Sequence, residues 1–458
     1  MMDHMIQSRY SLPAIPKGEI FHASTIKLDI NRHLAALTGD IAEEVRAGLE
    51  EVWGTNTEEW KSFRVLDTVR QMSIRTSVRI FFGKELSQDK AFLRHADRWS
   101  LFLTTGSGLL GIFVPRILKP VLGPVLLLPA RYHAWRMNKT LFPLIDDRIA
   151  QLSSPSSRRP PNDILHHHVA TALASAEPAD RSPALIAARL SLILGFAAIP
   201  TTYLALTNTL LNLASSDPAT PSLLRHEAAA IRSRNNNNNN NNNKNAAWTR
   251  VSLLSLVRAD SFIKETLRLH PFGGRGLVHE VLAPEGVALP GATGDAGVVA
   301  PRGAWLAVPV SAVQRDEEVY GADAAEFRPW RFVAPAGAVA SPSSSSSSSS
   351  SSADEETGSA GEGEGGGKDE GLAVKGGGMT AASDTFLAFS RGRHVCPGRF
   401  LAANVMKLFL AHVALEYDIK PLEKRPENMP VSDFSVPEEK AEIEVRRRKA
   451  EDGGELVR

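Results

Sequence analysis

Cysteine is almost absent from this chain: Cys396 stands alone in 458 residues. One thiol excludes an internal disulfide and a structural zinc site made of several thiolates, leaving a nucleophile, a metal ligand or a small buried apolar side chain. Net charge is nearly absent too, at +1, which gives no general attraction to nucleic acid. No signal peptide or membrane anchor is visible near Met1, and the chain runs almost directly into a helical pattern from Ile26 onward. Adjacent histidines at His166, His167 and His168 do not share one helix face, and no acidic or cysteine ligands converge on them in sequence. A metal site is not expected there.

Long apolar runs are few. Residues 184–214 are apolar on nearly all sides, the pattern of a buried or spanning helix; Arg189 and the polar cluster Thr201, Thr202, Thr207 and Asn208 favour burial. Residues 109–129 are broken by Arg116, Lys119 and several prolines and make a poor spanning helix.

What surrounds the lone cysteine is more specific. The run Phe389-Ser390-Arg391-Gly392-Arg393-His394-Val395-Cys396-Pro397-Gly398-Arg399-Phe400 places cationic side chains on both sides of the sulfur. Pro397 suits a first helical turn, and Leu401, Val405, Leu408 and His412 recur at helical spacing. The sulfur is therefore expected at the positive end of a helix, in surroundings that favour a thiolate. A second pattern lies upstream, where 261–269 reads as a helix ended by His270-Pro271, with Glu265 and Arg268 on one face.

The order of Phe389, Gly392, His394, Cys396 and Gly398 resembles the haem-binding loop of the cytochrome P450 family. That resemblance implies a mainly α P450 fold with small β-sheets, lacking much of its N-terminal β-rich part. It makes Cys396 the axial ligand of the iron of haem (iron protoporphyrin IX), its electron donation favouring O–O cleavage on the opposite face. By the same likeness His394 contacts a propionate, Phe389 packs by the sulfur, and Gly392 and Gly398 give close backbone approaches. Phe327-Arg328-Pro329-Trp330-Arg331-Phe332 resembles the segment that adds a third member to the helix pair. Glu265, Arg268 and Arg331 then form a structural triad that supports the haem loop.

Around 192–202 the chain is similar to fungal secondary-metabolite, ent-kaurene oxidase-like monooxygenases, and Thr201 aligns with the threonine that assists proton delivery. Pro200 departs from that likeness, standing where the family has an acid or a histidine. It removes a backbone donor, leaves the Phe196 carbonyl without its α-helical partner and is expected to kink the helix.

The resemblance extends from about residue 21 to 448 and implies one P450 domain over 1–458. Low-complexity tracts at 235–243 and 334–378 interrupt it and are read as disordered loops. Short β-rich pieces are expected at 277–281 and 305–310. The implied activity is insertion of one oxygen atom from O2 into an apolar organic substrate, with electrons from NADPH through NADPH-cytochrome P450 reductase. Arg391, Arg393, Arg399 and Lys407 would form a basic face for that partner. The family's location is the endoplasmic reticulum membrane, with 109–129 near the loop that meets the membrane surface. Because Pro200 deletes a titratable group, peroxide-handling or rearranging chemistry stays open, as does an inactive truncated haem-binding protein.

Overall fold

Apolar side chains at three- and four-residue spacing build the helices that carry the core. The computed structural model describes residues 7–11, 25–115, 117–153, 160–238, 248–289, 297–335, 372–392 and 395–449. Its longer helices are α1 (Arg32–Trp53), α2 (Val65–Phe82), α3 (Lys90–Ile112), α4 (Lys119–Leu126), α5 (Leu128–Ser153), α6 (Ile164–Ala174), α7 (Pro183–Leu192), α8 (Ile199–Ala214), α9 (Ala219–Asn238), α10 (Val257–Leu269) and α11 (Arg399–Glu416). Leu34, Leu37, Ile41, Val45 and Leu49 form the buried stripe of α1, which packs on α2 and α11. Burying each such side chain favours folding by about 1.5–3 kcal/mol. A contiguous hydrophobic cluster extends from Ile26 to Val445 and includes both α8 and α11.

Strands are short: β1 (Lys61–Arg64), β2 (Gly276–Glu280), β3 (Trp305–Val308), β4 (Val333–Pro335), β5 (Leu372–Val374), β6 (Tyr417–Ile419), β7 (Met429–Val431), β8 (Phe434–Val436) and β9 (Glu442–Arg447). β9 is the centre of an antiparallel sheet in the order β1-β9-β6, pairing Phe63 with Ile443 and Val445 with Ile419. β2 and β3, close to the two pieces expected from sequence, pair with each other around a bulge between Gly276 and His279.

Both low-complexity tracts are more ordered at their ends than their composition suggests. The first asparagines of 235–243 continue α9 to Asn238, and 239–247 lie outside the described residues. The tract 334–378 begins and ends in paired strands, with Val333 opposite Val374 and Pro335 opposite Leu372, while 336–371 lie outside. Buried neighbours secure its exit. Lys264 donates to the carbonyls of Lys375 (3.1 Å) and Gly377 (2.8 Å), and Asp260 accepts the Met379 N–H at 2.6 Å.

The apolar stretch over Pro183–Ala214 is long and apolar enough to cross a membrane by length and composition. It packs instead against α2, α3, α5 and α10 as a core element. It is not one regular helix: a π-helical turn, Ile193–Ala198, separates α7 from α8. His166, His167 and His168 lie in the first half of α6, and among the described residues no group of three or more His, Cys, Asp or Glu side chains is placed to hold a metal ion.

Candidate active site around Cys396

The cysteine sits in a chain of tight turns. Ser390 N–H donates to the Leu387 carbonyl (2.9 Å), Val395 N–H to Gly392 (3.0 Å) and Cys396 N–H to Phe389 (2.8 Å). Gly392 adopts φ +67°, a left-handed conformation that glycine enters without a Cβ penalty. Helix α11 starts two residues later than the sequence suggests, because Gly398 is its N-cap and Pro397 falls just outside the first turn. Asn31 reaches across from the π-helical turn before α1 and donates to the Pro397 carbonyl at 3.1 Å.

The expected cationic cradle is only partly there. Burial is the largest influence on the Cys396 thiol and pushes it above its ordinary value; the Gly398 and Arg399 N–H groups and the Arg399 charge work against that rise. Arg391 pairs with Asp384. Lys407 turns inward, where Asp260 Oδ2 lies 2.6 Å from its Nζ and the Leu253 carbonyl accepts at 2.9 Å. Arg399 donates to the carbonyls of Thr380 (3.1 Å) and Cys396 (3.0 Å). Arg393 and His394 lie outside the described residues. Burial outweighs local charge here and favours the neutral thiol. A half-buried soft donor with two backbone N–H groups at its back fits a thiolate–iron bond.

Beside the loop stands an ionic cluster whose central pair, Glu265 and Arg268, is fully buried. Arg268 meets the Glu265 carboxylate with Nε at 2.7 Å and Nη2 at 2.8 Å, and Arg331 Nε donates to Glu265 Oε1 at 3.0 Å. The same oxygen accepts the Arg328 N–H at 3.0 Å. Charges at zero exposure are costly unless every donor and lone pair is used, and the carbonyls of Gln314, Ala324 and Glu326 take the remaining Arg268 protons.

Gln314 is the residue that sequence reading missed. Its side-chain amide, fully buried, donates to the Arg268 carbonyl at 2.9 Å and accepts the Leu387 N–H at 2.7 Å. It joins the ionic cluster to the first turn of the cysteine loop. Nothing in its local sequence marks it, since both partners are distant along the chain.

Thr201 lies in the first turn of α8, where its hydroxyl donates to the Ala197 carbonyl. Ala197 is exposed and Phe196, Ala198, Thr201 and Thr202 are half-buried, within a helix otherwise almost entirely buried. These residues form the accessible strip of the helix. Asn212 ties α8 to α10 through Thr266 Oγ1 at 3.0 Å, and α8 also packs on α11. Pro200 breaks the hydrogen-bond ladder as expected, but the disturbance lies upstream of it. Ile199 N–H donates to Leu194, five residues back, so the chain is already in π register when it reaches the proline. The Gly195 carbonyl, whose π-register partner would be Pro200, therefore lacks a main-chain donor as well.

Comparison with known proteins agrees with this architecture. The cytochrome P450 family model matches residues 32–353 and 368–445. The chain is 29% identical to the cytochrome P450 monooxygenase polB of Polytolypa hystricis over 94% of its own length and 75% of that protein's. It is 30% identical to the cytochrome P450 monooxygenase fsoD of Humicola fuscoatra, covering 92% and 73% respectively. Among solved structures, retinoic acid bound cyanobacterial CYP120A1 superposes with a TM-score of 0.62 at 18% identity, covering 94% of this chain and 80% of that one, which shows the shared fold. With the family matched over most of its length and the fold shared, the chain belongs to the cytochrome P450 monooxygenases, which bind protoporphyrin IX haem through a thiolate.

Proposed function

We propose that the chain inserts one atom of O2 into an apolar organic substrate, of the secondary-metabolite or terpenoid kind, with electrons passed from NADPH by NADPH-cytochrome P450 reductase. The observation that carries this reading is the turn-locked Cys396, backed by two N–H groups and braced through Gln314 by the Glu265–Arg268–Arg331 cluster. When bound, the haem supplies the oxygen chemistry.

Cys396 would hold the iron, and the Gly398 and Arg399 N–H groups would disperse the sulfur's negative charge. Phe389 packs against the core and anchors the loop through its carbonyl bond to the Cys396 N–H. Gly392 leaves open space where a Cβ would stand, room suited to a macrocycle. Gly398 brings its backbone close to the sulfur, and His394 would meet a propionate. Thr201, whose O–H donates to the Ala197 carbonyl, keeps lone pairs free to accept a hydrogen bond, so Oγ1 suits positioning the water or other O–H group that would deliver a proton. The contiguous cluster from Ile26 to Val445 supports a single catalytic domain over 1–458.

A membrane surface is the second partner we propose. Phe113, Ile117, Val121, Val125 and Leu128 are 61–84% exposed along the end of α3, the following connection, α4 and the start of α5. Exposed apolar area this contiguous is costly in water and favoured against lipid. It supports location on the endoplasmic reticulum membrane.

Reduced, carbon-monoxide-treated protein should show a strongly red-shifted Soret band, and Cys396→Ala should lose both that band and turnover. A band at the same position in the variant would remove the reading. Thr201→Ala should keep the band yet divert reductant from product. Product formed with peroxide, and none with NADPH and reductase, would select the peroxide-using alternative that the missing acid at Pro200 suggests.

A further inference from the structure

The π-helical turn Ile193–Ala198 poses a bonding problem that another helix solves. In π register each carbonyl accepts from the N–H five residues on, and for Gly195 that residue is Pro200, which has none. The N–H four residues on, at Ile199, is already committed to Leu194. Gly195 is buried, so water is a poor substitute, and a dry carbonyl without a donor costs about 1–3 kcal/mol. The hydroxyl of Ser100, on α3, fills the place: its Oγ donates to the Gly195 carbonyl at 2.6 Å.

The neighbouring contacts are built around this bond. Trp99, fully buried, donates its indole N–H to the Ser191 carbonyl at 3.2 Å, one turn earlier on the same helix. A Cβ on Gly195 would stand 2.5 Å from that indole nitrogen, so only glycine lets α3 come this close. Ser100 itself is 4% exposed, and Thr104 bonds to its carbonyl at 2.9 Å, which fixes it within α3. From the accessible side of the turn, Ala197 offers its carbonyl to Thr201.

From this geometry we infer that Ser100 is a positioning residue: it supplies in trans the donor that Pro200 deletes, holds the helix in π register from behind, and so sets where Thr201 and the Ala197 strip stand. The catalytic half of the inference rests on the monooxygenase reading above. The bonding half does not, and a double-mutant cycle between positions 100 and 200 separates them.

Ser100→Ala in the haem-loaded protein should speed amide hydrogen exchange over residues 197–203 by about tenfold, the equivalent of one buried hydrogen bond. It should also raise the share of reductant lost as peroxide. Pro200→Ala restores a backbone N–H, so in that background Ser100→Ala should have little effect on either quantity. Ser100→Thr, which keeps the hydroxyl, should restore slow exchange. Equal effects of Ser100→Ala with proline or alanine at position 200 would overturn the inference, because they would make Ser100 a packing residue unrelated to the missing donor. If the Soret band of the monooxygenase reading is absent while the exchange coupling persists, that reading fails and the bonding role of Ser100 stands.

Discussion

Leu387 and Gln314 lie 73 positions apart, yet the main-chain N–H of Leu387 donates to Gln314 Oε1 at 2.7 Å in a fully buried site. The other end of the same amide holds the Arg268 carbonyl, so a single side chain fixes the distance between α10 and the start of the cysteine loop.

Replacing Gln314 with Leu keeps the volume roughly but orphans the Leu387 N–H and the Arg268 carbonyl. Each orphan costs about 1–3 kcal/mol. The expected outcome is a lower unfolding midpoint together with less haem retained per chain, read by calorimetry and by the ratio of Soret to protein absorbance. Full haem retention at normal stability would show that the loop holds itself.

Glu265→Gln removes the one carboxylate shared by Arg268 and Arg331. Arg268 then has no counter-charge at zero exposure, while Arg331 keeps Asp323 at 2.8 Å, and breaking a buried pair in this way costs about 3–5 kcal/mol. Denaturant unfolding should show a loss of that order. A loss below about 1 kcal/mol would place the pair with ordinary surface bridges.

Acid should destabilise the fold through α6. Burial first, then the charges of His33 and His166, hold His167 at about 4, against 6.5 for a free histidine. His167 also stacks on His33 with ring centroids 3.5 Å apart. Between those two values the unfolded chain binds the proton that the folded chain refuses, so stability rises with pH across the window and is lost as pH falls from about 6.5 through about 4. His167→Gln should flatten the dependence of unfolding free energy on pH there; an unchanged slope would assign the sensitivity elsewhere.

Ile117→Asp, Val121→Asp and Val125→Asp together should weaken sedimentation with phosphatidylcholine and phosphatidylserine vesicles by at least about tenfold, the scale set by withdrawing even one such side chain from lipid. All three positions are more than 60% exposed, so folding should be unaffected. Equal binding by the variant would point to another surface.

The short motifs were legible because their spacing is local. Glu265 and Arg268 face the same way on any helix, and the turn around Cys396 follows from glycine, proline and a helix start within a dozen residues. The partner Arg331, known in sequence only through resemblance, does reach the Glu265 carboxylate. The electrostatics were less legible. Lys407 reads as part of a basic rim, but helix phase turns it inward to Asp260, and Cys396 reads as cation-stabilised although burial dominates.

By itself the sequence determined the family, the lone cysteine in its glycine-rich loop, the helix-rich architecture and the missing donor at Pro200, since each depends on residue type at fixed local spacing. Tertiary structure alone decided who replaces that donor, which carbonyl is left dry, and how the cysteine loop is braced. Ser100 and Gln314 act across 95 and 73 residues of chain. Hydrogen bonds of that kind arise from packing between helices, which local pattern does not encode.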